Sequence, residues 1–207
     1  MATREEILAA AWDQVRERGL AGLSMRDLAA AVGMRAPSLY SYFASKHAIY
    51  DAMFAQGNEQ FLAVTATVPS TGDARADMRA GARAYVDFCV ADPVRTQLLF
   101  QRTIPDFEPS PESYRLAVEA LERTRARLRE VGATKQRHLD LWTAVISGLV
   151  SQQMSNDPKG DRWVRLVDDA VEMFLAFVEN DRRGRTGRST RQARSARSRG
   201  RRVSPAR

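Results

Sequence analysis

Apolar residues in this chain recur every three or four positions, and no stretch alternates polar and apolar residues between hairpin turns, so the pattern predicts an all-α protein. Thr3 followed by Glu6 has the form of a capping box, opening a helix with Ile7, Leu8, Ala11, Trp12 and Val15 on its inner face; Gly19 stops it. Leu20 and Leu23 hold a short turn. Ser24 caps a second helix, with Met25, Leu28, Ala29 and Val32 inward and Gly33 as its left-handed end. Pro37 suits the first turn of a third helix, where Leu39 and Phe43 form one inward stripe, and Ser45 caps a fourth through Ile49, Met53, Phe54 and Phe61. Turn formers across residues 68–73 separate this head from a larger body. There the spacing predicts helices over residues 73–91, 93–102, 110–131, 135–155 and 160–180.

Residues 24–43 give a short helix, a glycine turn and a second short helix, the organisation of a helix-turn-helix. Leu28, Ala29, Val32, Leu39 and Phe43 can lock the pair, and Ala29, Ala30 and Ala31 allow close approach. Ser38 and Tyr42, four apart, are expected on one outward face with Arg35 before them. A guanidinium at Arg35 suits a bidentate contact to guanine, Ser38 a base edge or phosphate, and Ala36 a thymine methyl. Tyr40, Tyr42 and Lys46 suit phosphates, as do the free N–H groups of the helix that begins at Ser24.

These residues carry a resemblance. Thr3 to Phe61, with Ala29-Ala-Ala-Val-Gly-Met34 and Ser38-Leu-Tyr-Ser-Tyr-Phe-Ala-Ser-Lys46, resembles the DNA-binding head of the TetR family, whose pattern Leu-Tyr-x-[His/Tyr]-Phe-x-[Ser/Asn]-Lys follows the turn glycine. Tyr42 stands where that family often has histidine, and the motif covers about a quarter of the chain. The resemblance implies that Ser24 and Arg26 hold phosphate or groove edges, that Arg35, Ala36 and Ser38 enter the major groove, and that Tyr40, Tyr42 and Lys46 grip the backbone. It further implies a homodimer on an inverted-repeat operator in double-stranded DNA, a small-molecule effector in the body, and repression as the outcome. An effector that favours splayed heads must weaken DNA binding by the same factor, with the fourth helix as lever.

In the body, the last two helices are apolar over an arc wider than one core needs, which points to a second buried contact. Leu139, Ile146, Leu149, Val150, Val167, Val171, Phe174 and Val178 are its expected dimer residues, the resemblance implying a four-helix bundle from two subunits. An effector cavity, again on the resemblance, is expected among Tyr85, Phe88, Cys89, Phe100, Ile104, Phe107, Tyr114, His138 and Trp142, taking an apolar or amphipathic small molecule. Gln97, Gln101, Arg102, His138 and Gln153 are polar groups that could orient it. The division is thus residues 1–47 as DNA-binding head, 48–181 as effector-binding and dimerisation body, and 182–207 as tail.

Charge changes this picture little. The net charge of +7 over 207 residues includes eleven arginines in residues 182–207, where no acid stands; setting those eleven aside leaves −4 for residues 1–181. Made mostly of Arg, Ser, Gly and Ala, the tail is expected to be disordered, and it leaves open an alternative: a nucleic-acid-coating protein acting through counterion release. Cys89 is the single cysteine, which rules out an intrachain disulfide and fits a small buried residue in a reducing, cytoplasmic setting. The apolar runs are too short for a membrane span, and the N-terminus lacks the form of a secretory signal. An enzyme, a cofactor and a metal site are not expected. His47 and His138 have no zinc spacing, Asp157 and Asp161 fit a turn, and no phosphate loop or nucleophile elbow occurs.

Overall fold

The computed structural model describes the backbone of residues 2–200 and side chains as far as residue 183. Among these residues nine α-helices and two 3-10 turns occur, and no strand. The head holds α1 (Arg4–Arg18), α2 (Met25–Ala31) and α3 (Ala36–Tyr40), and α4 (Lys46–Ala66) leads out of it. The body adds α5 (Ala74–Ala91), α6 (Pro93–Phe100), α7 (Pro111–Glu130), α8 (Gln136–Asn156) and α9 (Val167–Gly200).

Helix starts follow from side-chain oxygens that satisfy otherwise orphaned N–H groups. Thr3 and Glu6 form the complete capping box, with Thr3 N–H donating to Glu6 at 2.7 Å and Glu6 N–H donating to Thr3 Oγ1 at 3.1 Å. Ser24, Ser45, Asp73, Asp92 and Ser110 each accept from a first-turn N–H through the side chain, opening α2, α4, α5, α6 and α7. The turn between α2 and α3 depends on Gly33, at φ +67°, a conformation that brings L side chains too close to the following carbonyl. It lets Gly33 N–H reach Ala30 O at 3.1 Å and Met34 N–H reach Ala29 O at 2.8 Å, closing the helix end.

Two apolar cores form, and α4 belongs to both. Ile7, Trp12, Val15, Leu28, Leu39 and Phe43 build the head core with Ile49, Tyr50 and Met53 of α4, and Leu98 of α6 joins them. Phe54, Phe61 and Leu62, further along α4, enter the body core with Met78, Val86, Trp142, Val171 and Phe174. The head core therefore runs past the expected boundary at residue 47.

The structure departs from the sequence pattern near the last helix. In place of one helix from about residue 160 there is a turn, then a 3-10 turn at Val164–Leu166, then α9. Buried Gln153 holds this loop: its amide donates to Gly160 O at 3.0 Å and to Asp157 O, while its oxygen accepts from Trp163 N at 2.9 Å and Val164 N at 3.2 Å. The side chain supplies partners that buried loop backbone otherwise lacks. The tail, expected from residue 182, begins within α9, whose backbone is described as far as Gly200. Residues 201–207 lie outside the described residues.

Near the C-terminal end of the body core, Asp181 of α9 ties down the start of α8. It accepts from Lys135 and Arg137, and lies 3.2 Å from His138 Nε2. The Lys135 hydrogen bond, against opposing desolvation, and then the His138 bond and nearby charges hold its carboxyl below the ordinary 3.8. A lowered folded pKa means this contribution is present above the unfolded value and is lost as pH falls through the folded one.

Two outcomes follow. Gly33→Ala meets no atom within 4 Å, so only backbone strain acts, and urea titration should show a loss of about 1 kcal/mol, with Gly33→Asn losing less. Asp181→Asn should lower the melting temperature at neutral pH, and its gap from the native chain should narrow as the medium is acidified below the ordinary carboxylate range.

Candidate functional site

The head presents a narrow polar surface on a rigid base. Leu39 and Phe43 are fully buried, fixing α3 against α2 through Leu28 and Ala29, so the opposite side of α3 must face solvent. There Arg35, Pro37 and Ser38 are exposed, Tyr40 is 52% exposed, and Ala36 is half-buried. Arg26 projects from α2 with its side chain 90% exposed and only a long 3.5 Å contact to Asp27. Arg35 and Ser38 are thus both exposed, as the sequence pattern expects, and Tyr40 is exposed as well, whereas Tyr42, the residue expected beside Ser38, is not on this helix.

Three of the named residues are placed otherwise. Tyr42 lies beyond the end of α3, in a turn, half-buried against the head core, so it does not share a helical face with Ser38; its carbonyl accepts from Arg4 at 3.2 Å. Lys46 is an internal bridge, its ammonium donating to Ala21 O at 3.0 Å and lying 5.5 Å from the centre of the Tyr50 ring. Ser24 spends its hydroxyl on Asp27 N–H, and its own N–H donates to Gln14 at 2.7 Å. The Lys46 ammonium and the Ser24 hydroxyl thus serve the fold of the head. Tyr50 is similarly committed: its hydroxyl donates to Leu20 O, and burial pushes its pKa up to about 12.

The body contains a cavity of about 580 Å³, within the range of small-molecule sites. Its walls come from helical faces: Phe61 and Thr65 of α4, Met78, Gly81 and Tyr85 of α5, Leu99 and Phe100 of α6, Thr124 and Arg127 of α7, and Trp142, Ile146 and Ser147 of α8. Phe61, Tyr85 and Phe100 form an aromatic corner with ring centres 5.6–5.8 Å apart. The Tyr85 hydroxyl lies 3.3 Å from Ser147 Oγ, and burial raises its pKa.

Of the expected effector residues, Tyr85, Phe100 and Trp142 line this cavity. The others do not. Phe88 and Cys89 are buried behind its wall, with Phe88 against Phe61 and beneath Arg95. Ile104 and Phe107 pack toward the head, Phe107 meeting Tyr50 and His47 edge-on. Tyr114 is 54% exposed, and His138 belongs to the Asp181 clamp. Gln97, Gln101, Arg102 and Gln153 are absent from the lining as well. Aromatic periodicity does not distinguish cavity wall, solid core and exposed surface. The polar lining residues Asn58, Thr65, Arg123, Thr124, Arg127, Thr143 and Ser147 were missed; on α7, Ala117, Ala120, Thr124 and Arg127 at helical spacing are the signal that could have found them.

The dimer residues need a similar correction. Leu139, Ile146, Val150, Val167, Val171, Phe174 and Val178 are all buried in the subunit's own core, and Leu149 is half-buried against it. The wide apolar arc mostly wraps α8 and α9 against α5 and each other. What remains outward is Leu141, 38% exposed, half-buried Val145 on α8, and Met173, 58% exposed, on α9.

A helix-turn-helix head fused through a shared helix to an all-helical body defines a recognisable class, and comparison with known proteins agrees. Residues 7–53 match the model of the bacterial regulatory proteins of the tetR family. The HTH-type transcriptional repressor Rv1353c of Mycobacterium tuberculosis is 26% identical over 141 residues, 68% of this chain and 52% of that protein. The chain therefore spans about half the length of the curated relatives it matches. Among solved structures, the TetR family transcriptional regulator PfmR from Thermus thermophilus superposes with a TM-score of 0.62 at 20% identity, covering 82% of this chain and 97% of that one. A TetR variant from Acinetobacter baumannii AYE, in complex with minocycline, superposes at 0.58 with 21% identity, covering 87% and 98%. Residues 7–53 thus match the head of the tetR family, and the all-helical fold is shared with these solved structures. No helix among the described residues is long and apolar enough to cross a membrane.

Burial pushes the Cys89 thiol up to about 11, so little thiolate exists at neutral pH. Ellman's reagent should leave the native chain unlabelled over minutes and label one thiol promptly in denaturant.

Proposed function

We propose that the chain is a sequence-specific transcriptional repressor, a homodimer on an inverted-repeat operator, released when a small molecule fills the body cavity. One observation carries the DNA reading. Ser38 and Tyr40 project from a five-residue helix, with Arg35 at its N-cap, that is seated by buried Leu39 and Phe43 and flanked by the outward-pointing Arg26. A short helix with a locked base can enter the major groove, where Arg35 fits guanine and Ser38 and Tyr40 fit base edges or phosphate. The curated relative's name as a repressor and the minocycline complex of the A. baumannii TetR support the reading of outcome and of cavity.

Dimerisation would place two such heads on successive turns of the groove. The outward apolar residues Leu141, Val145 and Met173 are the proposed contact, in place of the buried set that periodicity selects. Effector coupling would run through α4 and α6, which take part in both cores.

Selection of genomic fragments by the purified chain at near-physiological salt should enrich one short inverted repeat. Arg35→Ala should weaken that site by about 1–3 kcal/mol and relax its sequence, whereas removing residues 182–207 should preserve the preference. Uniform retention of all DNA that disappears with the tail would overturn this reading. Leu141→Glu combined with Met173→Glu should give a folded monomer by light scattering and circular dichroism; an unchanged dimer would move the interface elsewhere.

A further inference from the structure

The cavity is apolar along most of its wall, yet one end carries a cation with a nitrogen left over. Arg127, in the last turn of α7, donates through Nη2 to Thr65 O at 3.2 Å and to Val68 O at 3.4 Å, carbonyls at the closing end of α4. Its Nη1 is buried and has no hydrogen-bond partner. A buried polar group without a partner is destabilising, and more so when it carries charge, so a ligand that pairs with it has an advantage.

Neighbouring groups do not supply that partner. Arg123, one turn earlier, is spent on Glu119 at 2.7 Å and on Leu62 O at 3.2 Å, whereas no carboxylate among the described residues lies within ion-pair distance of Arg127. Asp77 is near enough for Arg127's charge to contribute to its lowered pKa, but both its oxygens accept from Thr71, at 2.7–3.0 Å. Gly81 of α5 leaves the room the guanidinium occupies: a Cβ there would come within 3.0 Å of Nη1. Carbonyls bound by Nη2 on one side and the bare backbone of Gly81 on the other hold the guanidinium in place, and Arg127 is one of the residues that line a space walled by Phe61, Met78, Leu99, Trp142 and Ile146.

We infer that the cavity binds a singly charged anionic amphiphile, of the class of an alkyl or aryl carboxylate, with its anionic oxygen on Arg127 Nη1 and its apolar body among those walls. This rests on reading the cavity as a ligand site and adds the charge class of the ligand. A neutral molecule of the same shape offers Nη1 at best a weaker hydrogen bond without charge assistance, and a cation is repelled by Arg127 and Arg123 together.

Isothermal titration of the full chain at neutral pH with decanoate, decanol and decyltrimethylammonium tests it. Decanoate should bind at least tenfold more tightly than decanol, with the cation weakest. In Arg127→Gln the decanoate affinity should fall to that of decanol, decanol binding reporting that the cavity is still formed, and Arg127→Lys should recover part of the preference. Equal binding of decanoate and decanol, or a preference that survives Arg127→Gln, overturns the anion assignment and leaves the effector reading standing. Absence of binding by all three overturns the assignment and the effector reading with it. Preferential decanoate binding that leaves operator affinity unchanged upholds the anion site and removes its regulatory role.

Discussion

The burial of α4 in two cores is the constraint on which the other features depend. A short three-helix head has too little apolar surface to hold a fixed shape by itself, and Ile49, Tyr50 and Met53 extend its core by three fully buried side chains, each worth roughly 1.5–3 kcal/mol. The same helix, without a break, places Phe54, Phe61 and Leu62 in the body. Head and body therefore cannot be rearranged independently of α4. Polar ties reinforce the arrangement at both ends: Trp12 Nε1 donates to Gln56 at 2.7 Å, and Asp51 accepts from the backbone and hydroxyl of Ser110, at 2.7 and 2.9 Å, where α7 begins.

The second shared element, α6, is shorter and more sharply divided. Leu98 enters the head core, Leu99 packs onto Gly57 of α4 and faces the cavity, and Phe100 completes the aromatic corner. Three consecutive residues thus touch the head, the shared helix and the cavity. At the other end of α6, its cap Asp92 accepts two hydrogen bonds from Arg16 of α1, at 2.9 and 3.0 Å. In the proposed reading, a ligand that displaces Phe100 or Leu99 cannot leave Leu98 and the head where they were, because close-packed interiors transmit displacement.

Local signals in the sequence were sufficient wherever a helix boundary is set by its own residues. Thr3 with Glu6, Ser24, Gly33 and Ser45 act within one turn of where they stand, and all four mark boundaries in the structure. Signals failed where the deciding partner is distant. Gln153 fixes the loop before α9 from across that loop, Lys46 is drawn to Ala21, and His138 to Asp181; no spacing rule records such pairings. Cavity and dimer residues failed for a related reason. Periodicity says that Phe88, Ile146 or Phe174 is buried, but not whether a neighbouring helix, a vacant space or a second subunit covers it. Arg127 was passed over because an arginine near a helix C-terminus is ordinarily a solvated partner of the helix dipole, and only the packing of α4 and α5 around it makes it otherwise.

Charge illustrates the same distinction between amount and placement. The isoelectric balance of the whole chain is dominated by the tail, and the head itself is close to neutral, with Arg or Lys at 4, 16, 18, 26, 35 and 46 against acids at 5, 6, 13, 17 and 27. Most of these cations are already engaged: Arg16 with Asp13 and Asp92, Arg18 with Asp27 and Glu17, Arg4 over Phe43, Lys46 with Ala21. Arg26 and Arg35, both exposed on α2 and at the cap of α3, are the cations of the head left pointing outward from the helix-turn-helix. A head of this kind draws little affinity from bulk attraction to phosphate, which grows with the number of free cations. In the proposed reading its binding would then rest on a few well-placed contacts, and under that condition sequence preference outweighs general affinity for DNA.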